Sequence, residues 1–219
     1  MIHPIDHYNT LVFDCDGVVL DSNRIKTDAF YQAALPYGAA AAAALVQYHT
    51  SNGGISRYVK FAHFLDQIVP AHAPGTDGPD IDALLEHYAQ AVYIGLTRCA
   101  VAEGLADLRS STTKANWLIV SGGDQAELKQ IFGIRGISDY FDGGIFGSPD
   151  TKNDILGREI LRGNIRLPAL FLGDSKYDHS AASTAGLDFV FVSGWSEVAD
   201  WKTYTEQHNL PFITAIRDL

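Results

Sequence analysis

The sequence predicts an α/β protein with a Rossmann-like, doubly wound parallel sheet and an inserted α-helical domain. Two observations support this prediction. Short runs that are apolar on both faces recur along the chain, and most of them are followed by a polar loop and a helical pattern. Such runs are typical of central strands in parallel sheets, and the alternation of strand and helix is typical of doubly wound folds.

The predicted strands are residues 11–13, 118–120, 169–172 and 189–192, and helical patterns follow the second and third of them at residues 125–134 and 180–186. In open sheets of this kind, ligands bind beyond the carboxyl ends of the strands. We therefore expect the polar loops after the first three strands to form the functional site.

Residues 23–99 differ from the rest of the chain because they show helical spacing of apolar residues in three stretches and no clear strand run. The predicted organisation is a sheet-containing core of residues 1–22 and 100–219 and a helical insert of residues 23–99, which the family resemblance given below implies is a C1-type cap. A stretch rich in Pro and Gly, residues 70–80, is predicted to be a loop between helices of the insert.

The composition narrows the class of protein. The chain has 219 residues, of which 47% are hydrophobic and 19% charged, which indicates an ordinary globular protein. A net charge of −10 argues against nucleic acid or an anionic membrane as partner. Two cysteines are too few for a disulfide framework, and the start of the chain does not resemble a secretion signal, so the expected location is cytoplasmic. The sequence carries no signal for an oligomeric state.

Two carboxylates one residue apart, Asp14 and Asp16, follow the first predicted strand and precede Gly17. A single Asp in this position is most often a helix cap, but a pair can divide the work of nucleophile and general acid–base. Repulsion between the two would be relieved by a cation, and carboxylate and phosphate oxygens suit Mg²⁺. Taken alone, these residues fit a Mg²⁺-assisted catalytic pair and a pair of helix-capping loop acids about equally well.

Three further elements follow in chain order. Ser121 and Gly122 end the second strand before a helix, where a hydroxyl and free amides can cradle phosphate. Lys152 stands near a predicted helix start and could offset phosphate charge. Asp174 and Asp178 bracket a turn after the third strand, where they could face a metal. Each element alone is also typical of a capping or solvated residue.

The order D-x-D-G, then S-G after a strand, then Lys, then G-D-S-x-x-D resembles the haloacid dehalogenase-like (HAD) superfamily. In particular it is similar to the C1-capped phosphatase branch that includes phosphoglycolate phosphatase and β-phosphoglucomutase. The match covers residues 8–22 and about 100–195. The resemblance implies a hydrolase acting on phosphoric monoesters, with a small-molecule phosphate ester, such as a sugar phosphate or similar metabolite, as its substrate.

The resemblance also implies the role of each motif residue. Asp14 would be the nucleophile that forms an aspartyl-phosphate, and Asp16 the acid that protonates the leaving oxygen and then the base that activates water. Mg²⁺ would be held by a carboxylate oxygen of Asp14, the backbone carbonyl of Asp16 and the carboxylate of Asp174. Asp178 would support this metal shell or orient Lys152.

For the phosphate, the resemblance implies that Ser121 and the Gly122 amide hold the group while Lys152 neutralises it. In the cap, Arg57 and Lys60 lie three residues apart and would share a helix face if a helix begins near Ser56. We expect one or both to reach an anionic or hydroxylated substrate, although solvated basic residues are an equally good interpretation.

Four other functions are compared with a phosphatase. Asp16 argues against a dehalogenase, and Gly173 before Asp174, where mutases of the family often have Glu, favours hydrolysis over a β-phosphoglucomutase-like phosphomutase. A non-catalytic HAD-fold binding protein is disfavoured because every motif residue is intact. A phosphonatase would need a Schiff-base lysine from the cap, for which nothing separates Lys26 from Lys60.

Overall fold

A computed structural model, which describes residues 3–219, contains six strands in one sheet. The strands are β1 (Thr10–Phe13), β2 (Asn116–Asp124), β3 (Gly144–Ser148), β4 (Ala169–Gly173), β5 (Asp188–Val192) and β6 (Phe212–Ile213). Their order across the sheet is β3-β2-β1-β4-β5-β6, and every neighbouring pair is parallel. The predicted doubly wound parallel sheet is therefore confirmed.

Ten α-helices occur among the described residues: α1 (Asn23–Ala34), α2 (Ala39–Ser51), α3 (Arg57–His63), α4 (Val69–His72), α5 (Ile81–Leu96), α6 (Leu105–Ser111), α7 (Gln125–Ile134), α8 (Lys152–Leu161), α9 (Lys176–Ala185) and α10 (Trp201–Gln207). A π-helical turn over Phe64–Ile68 joins α3 to α4. None of the helices within residues 3–219 combines the length and the apolar character needed to cross a membrane.

The sheet is buried on both faces because alternate side chains of its strands enter two separate cores. On β1, Leu11 and Phe13 pack into one core while Val12 packs into the other. On β4, Leu170 belongs to the first core and Phe171 to the second. Burial on both faces explains why the central strands read as continuous apolar runs rather than as an alternating pattern.

Between β1 and β2, the regular structure of the described chain consists of helices, α1 to α6. Helix α1 packs against α2 and α5. Three aromatic rings form the centre of this packing, with Phe30 at 5.1 Å from Phe61 and 4.4 Å from Tyr88, measured between ring centroids. We call residues 23–99 the helical segment; its division from the core as a separate domain stays a prediction.

The structure differs from the sequence prediction at three places. Strand β2 runs on to Asp124, so Ser121 and Gly122 lie within a strand and not in the loop after it. Strands β3 and β6 had no predicted counterpart. Pro70 is the second residue of α4, directly after the π-helical turn, so the predicted loop begins only after His72.

Candidate active site

The carboxyl ends of β1 and β4 bring two acids together. Phe13 pairs with Leu172 in the sheet, and the next residue, Asp14, donates its backbone N–H to the Leu172 carbonyl at 2.9 Å. Asp174 follows β4 directly. The two carboxylates therefore emerge side by side at the edge of the sheet where ligands of this fold class bind.

Carboxylate oxygens of Asp14, Asp174 and Asp178 lie within 4.8 Å of one another, and all three residues are buried. Burial, together with the neighbouring acids, raises the pKa of Asp14 to about 7. The pKa of Asp174 is also raised, by burial first and by Asp14 second. A cluster of oxygen donors whose charge is incompletely balanced fits a hard divalent cation such as Mg²⁺.

Lys152, the first residue of α8, partly balances the negative charge of these three carboxylates. Its ammonium lies 2.9 Å from Asp14 Oδ1 and also contacts Asp178 Oδ1, and its side chain is 1% exposed. Helix α8 is fixed at this point by a capping box between Thr151 and Asp154. The start of the helix therefore determines where the ammonium stands.

Asp178 has both of its oxygens engaged. Oδ1 contacts Lys152, and Oδ2 accepts hydrogen bonds from the Ser175 hydroxyl at 2.7 Å and the Ser175 N–H at 3.1 Å. With its oxygens already used, Asp178 is better suited to orienting Lys152 than to binding a metal directly. Asp14 and Asp174 are then the two carboxylates that could hold a cation.

Asp16 lies beside the acid cluster but has its own partners. Its Oδ1 accepts a hydrogen bond from the Ser22 hydroxyl at 2.6 Å, and its Oδ2 lies 2.5 Å from the Lys26 ammonium. Burial would raise the pKa of Asp16, but Lys26 and Ser22 outweigh burial and lower it. Asp16 is therefore ionised in this arrangement and suited to accept a proton.

Ser121 and Gly122 occupy different positions relative to the site. Ser121 is fully buried, and its hydroxyl accepts the Gly123 N–H at 3.0 Å. Gly122 and Gly123 line the cavity above the acids. The carbonyl of Gly122 accepts the Ser148 hydroxyl at 2.7 Å, which ties this part of β2 to β3.

The helical segment contacts the core directly above Gly122 of β2. A Cβ added to Gly122 would lie 2.2 Å from the carbonyl oxygen of Gly54, so the two backbones are in contact without side chains between them. Nearby, Arg57 lies 3.1 Å from Glu127, and the Tyr58 hydroxyl donates to Asp124 at 2.8 Å. These contacts close the helical segment over the acids.

Between the helical segment and the core is a cavity of about 70 Å³. Of the residues predicted from sequence, six line it: Asp14, Asp16, Asp174, Gly122 and, from the helical segment, both Arg57 and Lys60. Ser121, Lys152 and Asp178 lie behind this lining. Helix α3 begins at Arg57 after an N-cap at Ser56, as expected, but the guanidinium of Arg57 is engaged by Glu127.

Several lining residues had no assigned role in the sequence prediction. Asn23 donates to Asp174 Oδ2 at 2.7 Å, and Lys26 pairs with Asp16. Asn23 and Lys26 lie three residues apart at the start of α1 and therefore on one face of that helix. The helical pattern that begins shortly after the D-x-D-G motif was the sequence signal that could have predicted both residues. His49 also lines the cavity and lies 2.7 Å from Lys60.

Comparison with known proteins identifies the family of the chain. Residues 8–186 match the family model of the haloacid dehalogenase-like hydrolases. No curated protein sequence gives a significant match to the chain.

Solved structures share the fold at low sequence identity. A haloacid dehalogenase-like hydrolase from Streptococcus pneumoniae is 21% identical, with a TM-score of 0.67 over 95% of this chain and 94% of that one. A predicted phosphatase from Clostridium acetobutylicum is 18% identical, with a TM-score of 0.68 over 94% of both chains. CbbY from Rhodobacter sphaeroides, in complex with phosphate, is 17% identical, with a TM-score of 0.70 over 97% of this chain and 96% of that one.

Proposed function

Because the chain belongs to the haloacid dehalogenase-like hydrolase family, we propose that it is a Mg²⁺-dependent phosphomonoesterase. It hydrolyses a small phosphorylated metabolite through an aspartyl-phosphate intermediate. The observation that carries this proposal is the placement of one buried carboxylate, Asp14, between the Lys152 ammonium and a second buried carboxylate, Asp174. CbbY, which has the same fold, was solved with phosphate, the ligand class proposed here.

Asp14 is the nucleophile. Its contacts with the Cys15 N–H at 2.7 Å and with Lys152 both use Oδ1, and no residue among 3–219 hydrogen-bonds to Oδ2. Oδ2 can therefore attack phosphorus, forming the O–P bond of the aspartyl-phosphate as the ester oxygen departs. Lys152 offsets the negative charge that Asp14 and the phosphoryl group bring together.

Asp16 transfers the protons. Because Asp16 is ionised before the substrate binds, it takes the proton of a monoanionic phosphate ester and passes it to the leaving oxygen in the first step. In the second step its carboxylate takes a proton from the water that attacks the aspartyl-phosphate. The ion pair with Lys26 favours the ionised form. Asp16 is therefore prepared for the water-activating step.

Asp14, the Asp16 carbonyl and Asp174 are the groups that would hold Mg²⁺. When bound, the cation would shield the phosphoryl oxygens and the nucleophile from mutual repulsion. Asn23 fixes one oxygen of Asp174, which orients that carboxylate toward Asp14. The helical segment excludes bulk water from the closed cavity and thereby strengthens these interactions.

The test is phosphate release from p-nitrophenyl phosphate and a panel of metabolite phosphate esters, with and without MgCl2. We expect Mg²⁺-dependent release by the wild type, none by Asp14→Asn, and normal release by Asp21→Asn, which alters an exposed acid in the same segment. An Asp16→Asn variant should accumulate phosphate on Asp14, detectable by mass spectrometry of the intact protein. Equal release by wild type and Asp14→Asn would overturn the proposal, and isomerised hexose phosphate without free phosphate would indicate a mutase.

A further inference from the structure

One lysine in the cavity has no acidic partner. The ammonium groups of Lys26 and Lys152 are paired with Asp16 and Asp14, and Arg57 is paired across the cavity wall. Lys60 also lines the cavity, yet no carboxylate of residues 3–219 lies within 4.0 Å of its Nζ. Its side chain is nevertheless 2% exposed.

The contacts that Lys60 does make are uncharged. Its Nζ lies 2.7 Å from Nδ1 of His49 and 5.5 Å from the centroid of the Phe30 ring. Burial, together with the positive charges of Lys60 and Lys26, lowers the pKa of His49 to about 3. A neutral His49 accepts the hydrogen bond from Lys60, but it brings no negative charge to balance the ammonium.

A buried ammonium without a counter-charge is unfavourable. Loss of water, reinforced by the nearby Lys26 ammonium, lowers the pKa of Lys60 to about 7. The charge of Lys60 lies inside the cavity that also contains Asp14, and within residues 3–219 no carboxylate neutralises it at ion-pair distance. An anionic group that enters with the ligand would supply the missing charge.

We propose that the substrate carries, besides the phosphate ester, a second anionic group on its leaving part, and that Lys60 binds this group. The group is a carboxylate or a second phosphate, since both accept hydrogen bonds from an ammonium. His49 is the positioning residue, because it holds Lys60 Nζ on the cavity side of α3. This inference rests on the proposed phosphatase function. It separates the two basic residues of α3: Lys60 selects the substrate, whereas Arg57 is held by Glu127.

A matched panel of three-carbon esters tests the inference: propyl phosphate, 3-phosphonooxypropanoate and propane-1,3-diol bisphosphate. The kcat/KM for one or both doubly anionic esters should exceed that for propyl phosphate by about tenfold or more in the wild type. Lys60→Met, which keeps the volume, should remove that preference by lowering kcat/KM for the doubly anionic esters to about the value for propyl phosphate. Preference for only one of the two doubly anionic esters identifies the group as carboxylate or phosphate.

The matched control is Arg57→Met, in which the preference should persist even if KM rises for every ester alike. Thermal unfolding verifies that Lys60→Met is folded. A wild-type enzyme that hydrolyses all three esters equally, or a preference unchanged in Lys60→Met, would overturn the inference and leave the phosphatase intact.

A binding measurement tests the role of Lys60 independently of turnover. Calorimetry with the Asp14→Asn variant and MgCl2 should give tighter binding of at least one doubly anionic ester than of propyl phosphate, and the difference should disappear when Lys60→Met is added. No phosphate release from any ester would contradict the proposed function, and the binding comparison would still support or refute the role of Lys60.

Discussion

Competition between protons and Mg²⁺ for Asp14 gives a sharp prediction. Burial, helped by the charges of Asp178 and Asp16, raises the pKa of Asp14 from 3.8 to about 7 in the protein without metal. A carboxyl group must lose its proton before it binds a cation, so Mg²⁺ affinity should fall as pH falls below that pKa.

The magnitude follows from the pKa of Asp14. Near pH 5, about two pH units below it, roughly one Asp14 in a hundred is ionised, so the dissociation constant for Mg²⁺ should be about 100-fold higher than near pH 8. The raised pKa of Asp174 acts in the same direction. The same pKa also determines how Asp14 affects the stability of the metal-free fold. Because folding raises the pKa of this carboxyl, its contribution to the free energy of unfolding is fully present below pH 3.8 and is lost as the pH rises through about 7.

The assay is calorimetric titration of the wild type with MgCl2 near pH 5 and near pH 8, with thermal unfolding in parallel. Mg²⁺ should raise Tm more at the higher pH, where it replaces the lost protons. Asp174→Asn should bind Mg²⁺ weakly at both pH values, whereas Asp77→Asn, which changes an exposed loop acid, should match the wild type. The same dissociation constant at both pH values would refute the reasoning.

Two further predictions concern the closure of the helical segment over the site. Gly122→Ala places a methyl group 2.2 Å from a backbone oxygen of that segment, so KM should rise by about tenfold or more in a steady-state assay. The control is Gly123→Ala, whose methyl group would have no atom nearer than 3.4 Å and whose KM should stay close to that of the wild type. The side chains of the Arg57–Glu127 pair are only 8% and 11% exposed. A double-mutant cycle with Arg57→Met and Glu127→Gln should therefore give a coupling free energy of about 2 kcal/mol in kcat/KM or thermal unfolding. Purely additive effects of the two substitutions would contradict the assigned contact.

The strand ends could be predicted from the sequence because their signals are local. Asp14 and Asp174 each follow an apolar run directly, and their meeting in space follows from the parallel sheet alone. Lys152 was recognised by its place in the order of motifs, and its contact with Asp14 depends on the turn that starts α8. The haloacid dehalogenase-like family and the doubly wound fold are thus both confirmed.

The weaker strands could not be predicted, for physical reasons. Strand β3 contains Gly144 and Gly147, which have low strand propensity, and it lies at the edge of the sheet, where burial is incomplete. Strand β6 has two residues, too few for any periodic pattern. Strand β2 continues through Gly122 and Gly123, which as sequence letters favour a turn, because pairing of Asp124 with Ser148 on β3 extends it.

The partners of the cavity lysines depend on tertiary packing and have no local signal. Lys60 and His49 stand on different helices, and Arg57 is separated from Glu127 by 70 positions in the chain. Sequence spacing put Arg57 and Lys60 on one face of a helix but could not tell which of them would be paired. That difference appears only when α3 lies against α7 on one side and α2 on the other.

The bare backbone contact between Gly54 and Gly122 also bears on how this enzyme could be re-engineered. Since no side chain fills the seam, a helical segment taken from a relative can be transplanted only if it presents an equally bare loop to the core. The transplanted segment must also keep the polar side chains that flank this contact, Arg57 and Tyr58, and those that reach the acids from α1, Asn23 and Lys26. A library of chimeras that keeps residues 23–26 and 52–58 and replaces the rest of the helical segment should therefore yield closed, folded enzymes with altered substrate preference.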